Sequence, residues 1–423
     1  DKNKALSSME DHVESSKVLA IDDVPDPDYS LLEGKIEYFD YKSHVSVNVV
    51  GENKKRKWAQ LITSRGCPFS CPYCVAPQFS GQTMRYKDPM QVQREMRYLY
   101  ENYGVTGFIP EDDFFIGTEK RMTELCDAIT SANIPNIKMT FRNGVNVNTL
   151  NERKIDLLAK MGTNSVSVAV ESGAPFTQKF IIKKNVNLVK APKVIDIFRL
   201  KGIEVKVFIM ISLPDETDEL REETISYAEK LNMDWCNLYL FAPLLGTEFY
   251  EKMLSENIID DSPDTWSDTS PFSRGYKYQG KTGVEWKNIL LDADLRINYA
   301  NNSNILKGDY KRAFMYFDII RKASPKNIFA HLYSLFCTDK LNKINESKMI
   351  AREINKLMGD EEVYNQYIEN QHIFPLTNNI FSKYKISSLD REGNYGKIPF
   401  IGENDPQTAA TVVKVKTDYY QDL

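Results

Sequence analysis

The sequence predicts an α/β fold built on a parallel sheet, and three observations carry that prediction. Short apolar strands alternate with amphipathic helices from residue 57 to about 250. The alternation repeats at roughly 30–40-residue spacing, as strand–helix units do. The residues able to do chemistry fall just after the strands, where parallel architectures collect them. Alternation of this kind implies a sheet covered by helices. Six units suit either a doubly wound sheet or an incomplete barrel, and periodicity alone does not choose.

Each element has its own signal. "WAQLITS" (58–64) is a buried strand. "DPMQVQREMRYLYENYG" (88–104) is a helix, with Asp88 as N-cap, Pro89 at the first helical position and Gly104 as the stop. "VTGFIP" follows as a strand, "EKRMTELCDAITSAN" as a helix and "IKMTFRN" as a strand. "NERKIDLLAKMG" with "SVSVAVES", and "VKAPKVIDIFRLKG" with "IEVKVFIMIS", repeat the unit. "REETISYAEKLN" and "DWCNLYLFAP" close it.

Composition sets the outer bounds. The chain has 423 residues, 42% hydrophobic and 27% charged, with a net charge of −5. Those are values of a globular protein with room for several domains. The one basic run, "KKRK" at 54–57, reads as a solvated hairpin tip, so no bulk nucleic-acid binding is expected. No apolar run approaches the about eighteen residues of a membrane span, and no secretory signal is visible. Of six cysteines, Cys126, Cys236 and Cys337 stand singly in apolar segments, as buried thiols in a reducing cytoplasm would.

Five regions follow: a polar extension over 1–56, the repeated units over 57–250, a connector with substrate-facing loops over 251–300, a helical region over 301–375, and a loop-rich tail over 376–423. In the helical region, "GDYKRAFMYF" followed by "ASPKNIFAHLYSL" resembles a tetratricopeptide-type unit, with Ala313 and Ala330 at its small positions. Plain helical hairpins fit the same text. Such an array would shape the substrate entrance, recruit a peptide or protein partner, or serve as a structural cover.

The chemistry centres on "SRGCPFSCPYCVAP" (64–77), which sets Cys67, Cys71 and Cys74 in a C-x3-C-x2-C pattern. Structural zinc takes four ligands, usually in two pairs, and the nearest His is His44. A redox pair of Cys71 and Cys74 would leave Cys67 unused. Iron–sulfur clusters take thiolates, ordinarily four. Three in one loop would leave one iron open for a substrate or cofactor.

Strand ends supply the other candidates. Glu111, Asp112 and Asp113 follow the second strand, Arg142 ends the third, and Glu171 and Ser172 end the fourth. An aspartate here could instead cap the next helix, and Arg142 could be a rim ion pair. Glu171 leaving so apolar a strand points to a function.

With Tyr73 before the last cysteine and the loop placed after the first strand, the pattern resembles the radical S-adenosylmethionine (SAM) superfamily over about residues 57–250. That resemblance implies a partial (β/α)6 barrel like an incomplete TIM barrel. It implies a [4Fe–4S] cluster on Cys67, Cys71 and Cys74, with SAM on the free iron and Tyr73 beside its adenine. Reductive cleavage of SAM would yield a 5′-deoxyadenosyl radical that abstracts hydrogen, with a flavodoxin or ferredoxin as reductant. "EDDFF" resembles the cobalamin-associated branch, which implies cofactor contacts from Asp112, Asp113, Arg142, Glu171 and Ser172. "SLPDET" departs from that family's Gly-Leu-Pro-Gly-Glu-Thr at Ser212 and Asp215, and "APLLGT" lacks the Pro before Gly246.

Upstream, "IDDVPDPDYSLL" resembles the linker between a cobalamin-binding domain and the radical barrel, yet no Asp-x-His-x-x-Gly sequence is present. The absence of an initiating Met favours a sequence that starts after such a domain. The functional expectation is a radical SAM enzyme, with cobalamin as an added cofactor if it transfers methyl groups. The competing expectation is a non-catalytic, metal-binding interaction protein whose helical array holds a partner.

Overall fold

The computed structural model describes residues 56–260, 269–371 and 378–386, with shorter pieces at 21, 27–32, 36–40, 262, 266, 388–389 and 395–396. Residues 22–26 of the upstream linker motif, 54–55 of the basic run and most of the tail expected over 376–423 lie outside these residues.

The strands are β1 (Lys57–Leu61), β2 (Ser64–Arg65), β3 (Arg85–Tyr86), β4 (Val105–Pro110), β5 (Lys138–Val145), β6 (Thr163–Glu171), β7 (Glu204–Ile211) and β8 (Trp235–Leu240). Between them run α1 (Ala76–Ser80), α2 (Pro89–Tyr103), α3 (Glu119–Ser131), α4 (Glu152–Lys160), α5 (Lys190–Leu200) and α6 (Asp218–Glu229), with α7 (Glu248–Ser255) after β8. The start of α2 is as the sequence predicts. Asp88 accepts from the amides of Met90 and Gln91, and Gly104 ends the helix in the left-handed conformation.

Six strands form one sheet in the order β1-β4-β5-β6-β7-β8, and every neighbouring pair is parallel. A doubly wound sheet reverses its order part-way. This one never does, so right-handed crossovers carry every helix to the same outer side. Among the described residues β1 and β8 do not pair, and the sheet is an open six-stranded barrel. Along β7, Val205, Val207, Ile209 and Ile211 are fully buried with helix residues such as Ile195 and Phe198. Lys206, Phe208 and Met210 alternate onto the concave face and are only half-buried.

The connector expected as loops contains α8 (Gly283–Asp294), which runs into a π-helical segment, Leu295–Ala300. Thr282 and Glu285 cap α8 reciprocally, a signal readable in "TGVE". Short α9 (Ser303–Leu306) leads to α10 (Tyr310–Ala323), α11 (Ile328–Lys340), α12 (Ile344–Leu357), α13 (Glu361–Asn370) and α14 (Asn378–Tyr384). The two hairpins begin at Tyr310 and Ile344, 34 residues apart, which is the tetratricopeptide period. Ala313 and Ser347, one period apart, are both fully buried where the helices meet.

This array does not border the barrel's mouth. Asp234 and Trp235 open β8 and Glu204 opens β7. Arg312 Nε lies 2.6 Å from the fully buried Asp234, Tyr316 stacks on Trp235 with ring centroids 5.4 Å apart, and the Tyr316 hydroxyl bonds Glu204. The array therefore plugs the N-terminal ends of the strands. Of the three roles expected for it, shaping the entrance is the one this placement opposes.

Candidate active site

The cysteine loop hangs between β2 and α1, and its shape is set by backbone bonds. β2 and β3 pair antiparallel on either side of it, and the Cys67 amide donates to Gly81 O at 3.1 Å. Cys74 N donates to Cys71 O at 3.0 Å, turning the last two cysteines toward each other. Gly66 enters the loop at φ +102°, and a Cβ there would lie 2.4 Å from Thr83 O. Only glycine fits. Cys67, Cys71 and Cys74 are all half-exposed, whereas Cys126, Cys236 and Cys337 are buried.

The two aspartates after β4 hold this loop from below, in different ways. Asp112 is buried and accepts from the Thr63 amide at 2.8 Å, the Ser64 amide and the Ser64 hydroxyl at 2.8 Å. Burial pushes its carboxyl up to about 6, against those hydrogen bonds. Asp112 thus faces the turn that launches the loop, and neither caps the next helix nor reaches the mouth; Thr118 caps α3. Asp113 accepts from the Gly66 amide at 3.2 Å and lies within electrostatic reach of Cys67.

The far side of the mouth closes onto the same loop. Phe249 N, in α7, donates to Pro72 O at 3.0 Å, and the Gln78 amide bonds Gly246 O. Gly246 has φ +79°, and a Cβ would come within 2.9 Å of the Gln78 side chain. A hydrogen-bonded clasp therefore joins the β1 and β8 ends of the sheet at the rim.

Glu171 completes the centre. It ends β6 at φ +71°, after an irregularity in the β6–β7 register. Its Oε1 lies 2.7 Å from Lys184 Nζ, and both side chains are about nine-tenths buried. Burial raises the Cys67 and Cys71 thiols above their ordinary range, and the Lys184 charge pulls both the other way. Tyr73 is pushed well up by burial, then by Glu171 and Cys71, to which its hydroxyl bonds. The structure thus gathers Cys67, Cys71, Cys74, Tyr73, Asp113, Glu171 and Lys184 in one place.

Besides Asp112, two expected contacts stand apart from that group. Arg142 is in an ion pair with Glu111, which also accepts from Asn143 Nδ2 at 2.9 Å. Ser172 is fully buried, its hydroxyl 2.7 Å from Thr224 Oγ1, and it ties β6 to α6. Lys184 went unread because side-chain convergence has no sequence signature. A lysine inside the apolar text "FIIKKN" was the available hint.

The donor set fits a cluster better than a single ion. Among the described residues no three His, Cys, Asp or Glu side chains are arranged to hold one metal ion. Three half-exposed thiols spread around one loop, beside a buried cation, suit a larger anionic iron–sulfur group. Residues 61–228 match the sequence pattern of the radical SAM superfamily. That match runs from the end of β1 into α6 and takes in the whole cysteine loop.

Radical SAM chemistry takes a [4Fe–4S] cluster and SAM as cofactors and needs an external reductant. Among similar proteins is the cytidylyl-2-hydroxyethylphosphonate methyltransferase of Streptomyces wedmorensis, 28% identical over 53% of this chain and 42% of its own length. An uncharacterized methyltransferase of Pyrococcus horikoshii is also 28% identical, over 74% of this chain and 59% of its own. Among solved structures, the cobalamin-dependent enzyme OxsB with aqua-cobalamin bound covers 80% of this chain and 59% of its own at TM-score 0.44 and 12% identity. The chain thus spans about half the length of the curated relatives that it matches.

The turn after β7 accounts for two departures from the radical SAM pattern. Ser212 and Asp215 stand where the family has glycines, and both keep the left-handed backbone that glycine favours, at φ +62° and +61°. Ser212 is held by Glu216 Oε2, which accepts from its amide at 2.6 Å, and by Arg274, which donates to its hydroxyl. The backbone path survives because Glu216 within the turn and Arg274 from the connector restrain it.

Proposed function

We propose that this protein is a radical SAM enzyme that transfers methyl groups, with Cys67, Cys71 and Cys74 as cluster ligands. The observation that carries this reading is the single loop of three half-exposed thiols set beside the buried Glu171–Lys184 pair. When bound, the cluster supplies the electron that cleaves SAM and so the radical that abstracts hydrogen. Tyr73 covers the cysteine loop on its buried side, Asp113 fixes the amide before Cys67, and Glu171 with Lys184 presents an acceptor and a cation toward SAM. Asp112 and Ser172 act by positioning the loop and the end of β6, and Arg142 with Glu111 borders the substrate side.

Methyl transfer rests on the names of the relatives, and cobalamin is its proposed third cofactor. Flavodoxin or ferredoxin is the proposed reductant, and the cytoplasm the proposed compartment, where such exposed thiols stay reduced. No described helix is long and apolar enough to cross a membrane.

Anaerobic reconstitution with iron and sulfide tests the reading. About four irons per chain, an electron paramagnetic resonance signal altered by SAM, and 5′-deoxyadenosine on reduction are expected. Labelled methyl transfer on adding cobalamin would support the fuller assignment. One zinc per chain with no response to SAM would overturn the enzyme.

A further inference from the structure

The concave face of the sheet encloses a cavity of about 360 Å³, lined by β5 to β8 and floored by α10. It reaches from Arg142 and Tyr239 near the strand ends down to Trp235 and Tyr316 at their starts. Pockets of this size suit small molecules and lie at the small end of the usual range.

Its lining joins two features. Ser165 and Ser167 are buried residues whose hydroxyls face the cavity and form no hydrogen bond with any described residue, and the half-buried Asn237 amide forms none either. A row of hydroxyl and amide groups that face one cavity and have no protein partner suits a ligand that donates and accepts. The second feature is an aromatic wall. Phe208 and Tyr239 lie 6.2 Å apart, and Tyr239 lies 5.6 Å from Phe272, which is 59% exposed at the lip. Aromatic faces in a row take flat rings by offset or edge contacts.

The charges in and beside the cavity are matched. Lys206 Nζ lies 3.7 Å from Glu204 Oε1, and Arg142 is paired with Glu111. A ligand with a strong net charge would have to break one of these pairs. Tyr239 also lies within electrostatic reach of Glu171, so the aromatic wall runs beside the cysteine site.

We infer that this cavity binds a small, neutral, planar heteroaromatic ring, with its flat face on Phe208, Tyr239 meeting it at an angle, and its polar edge on Ser165, Ser167 and Asn237. As the substrate's ring it rests on the radical SAM reading; as a binding site it does not.

Saturation-transfer NMR with indole as probe, on protein reconstituted with the cluster and on protein without it, tests the site. Indole signals are expected in both forms. Binding should weaken about tenfold in Asn237→Leu, and in Phe208→Leu by loss of the stacking face. Thermal melts of each variant identify those that fail to fold. Absence of an indole signal from wild-type protein that carries its cluster overturns the inference alone. So does glucose binding in place of indole, or undiminished indole binding by both folded variants. An indole signal that obeys the variants in protein unable to take up a cluster leaves this site standing and sinks the enzyme reading.

Discussion

Glu171 Oε1 and Lys184 Nζ lie 2.7 Å apart with about nine-tenths of each side chain buried, at the end of β6. Such a pair is costly to break from one side, because the surviving charge is left without its counter-charge. Lys184→Met should lower stability by about 3 kcal/mol, whereas Lys184→Arg should lose much less. Urea unfolding of the cluster-free protein measures both. Equal stability of Lys184→Met and wild type would show that water reaches the pair.

The thiols should separate by loop, not by number. Cys71→Ala is expected to lose most of the iron taken up on reconstitution, and Cys126→Ala to keep it, because Cys126 is a buried thiol in α3. Iron and sulfide analysis with visible absorbance reads the difference. A full cluster in Cys71→Ala would remove it from the ligand set.

The left-handed residues after β7 should respond in opposite directions to glycine. Asp215 pairs at the surface with Lys252 at 2.7 Å, so Asp215→Gly relieves strain and loses little, with a gain of up to about 1 kcal/mol expected. Ser212→Gly removes a partner of the buried Arg274 and should destabilise by about 1–2 kcal/mol. Thermal melts at one pH distinguish the two.

Glu216 should make the fold less stable as pH rises. Burial pushes its carboxyl up to about 7 from an ordinary value of 4.5, and its Oε1 has no partner among the described residues. The folded state therefore keeps a proton that the unfolded chain gives up first. Its favourable contribution is complete below pH 4.5 and is lost as pH climbs through about 7. Glu216→Gln keeps an acceptor for the Ser212 amide without the charge. Relative to this variant, wild type should lose stability in urea titrations as pH rises from 4.5 to about 7. Parallel curves would place the shift elsewhere.

The sheet was legible because it rests on local signals. Asp88, Pro89 and Gly104 bound α2 as the sequence implies, and "VTGFIP" is β4 residue for residue. The cysteine loop was legible because its ligands are close in sequence. The choice between a doubly wound sheet and a barrel was closed to periodicity, since it depends on strand order. Lys184 and Tyr239 were missed for a related reason: each reaches the centre by a fold-level approach that no spacing encodes. Asp112 shows the converse. It sits in a motif with two adjacent acids, yet only Asp113 faces the cysteine side, because successive residues leaving a strand point opposite ways.

Tyr316 stacks on Trp235 and also forms part of the floor of the inner cavity. The depth available to a ligand is therefore set by the helical array rather than by the barrel. Substitutions that shift α10 along its seat would act as a depth stop moved up or down, lengthening or shortening what the interior admits while the cysteine loop stays in place. Within one architecture, selectivity could then change at the back of the protein without disturbing the reactive front.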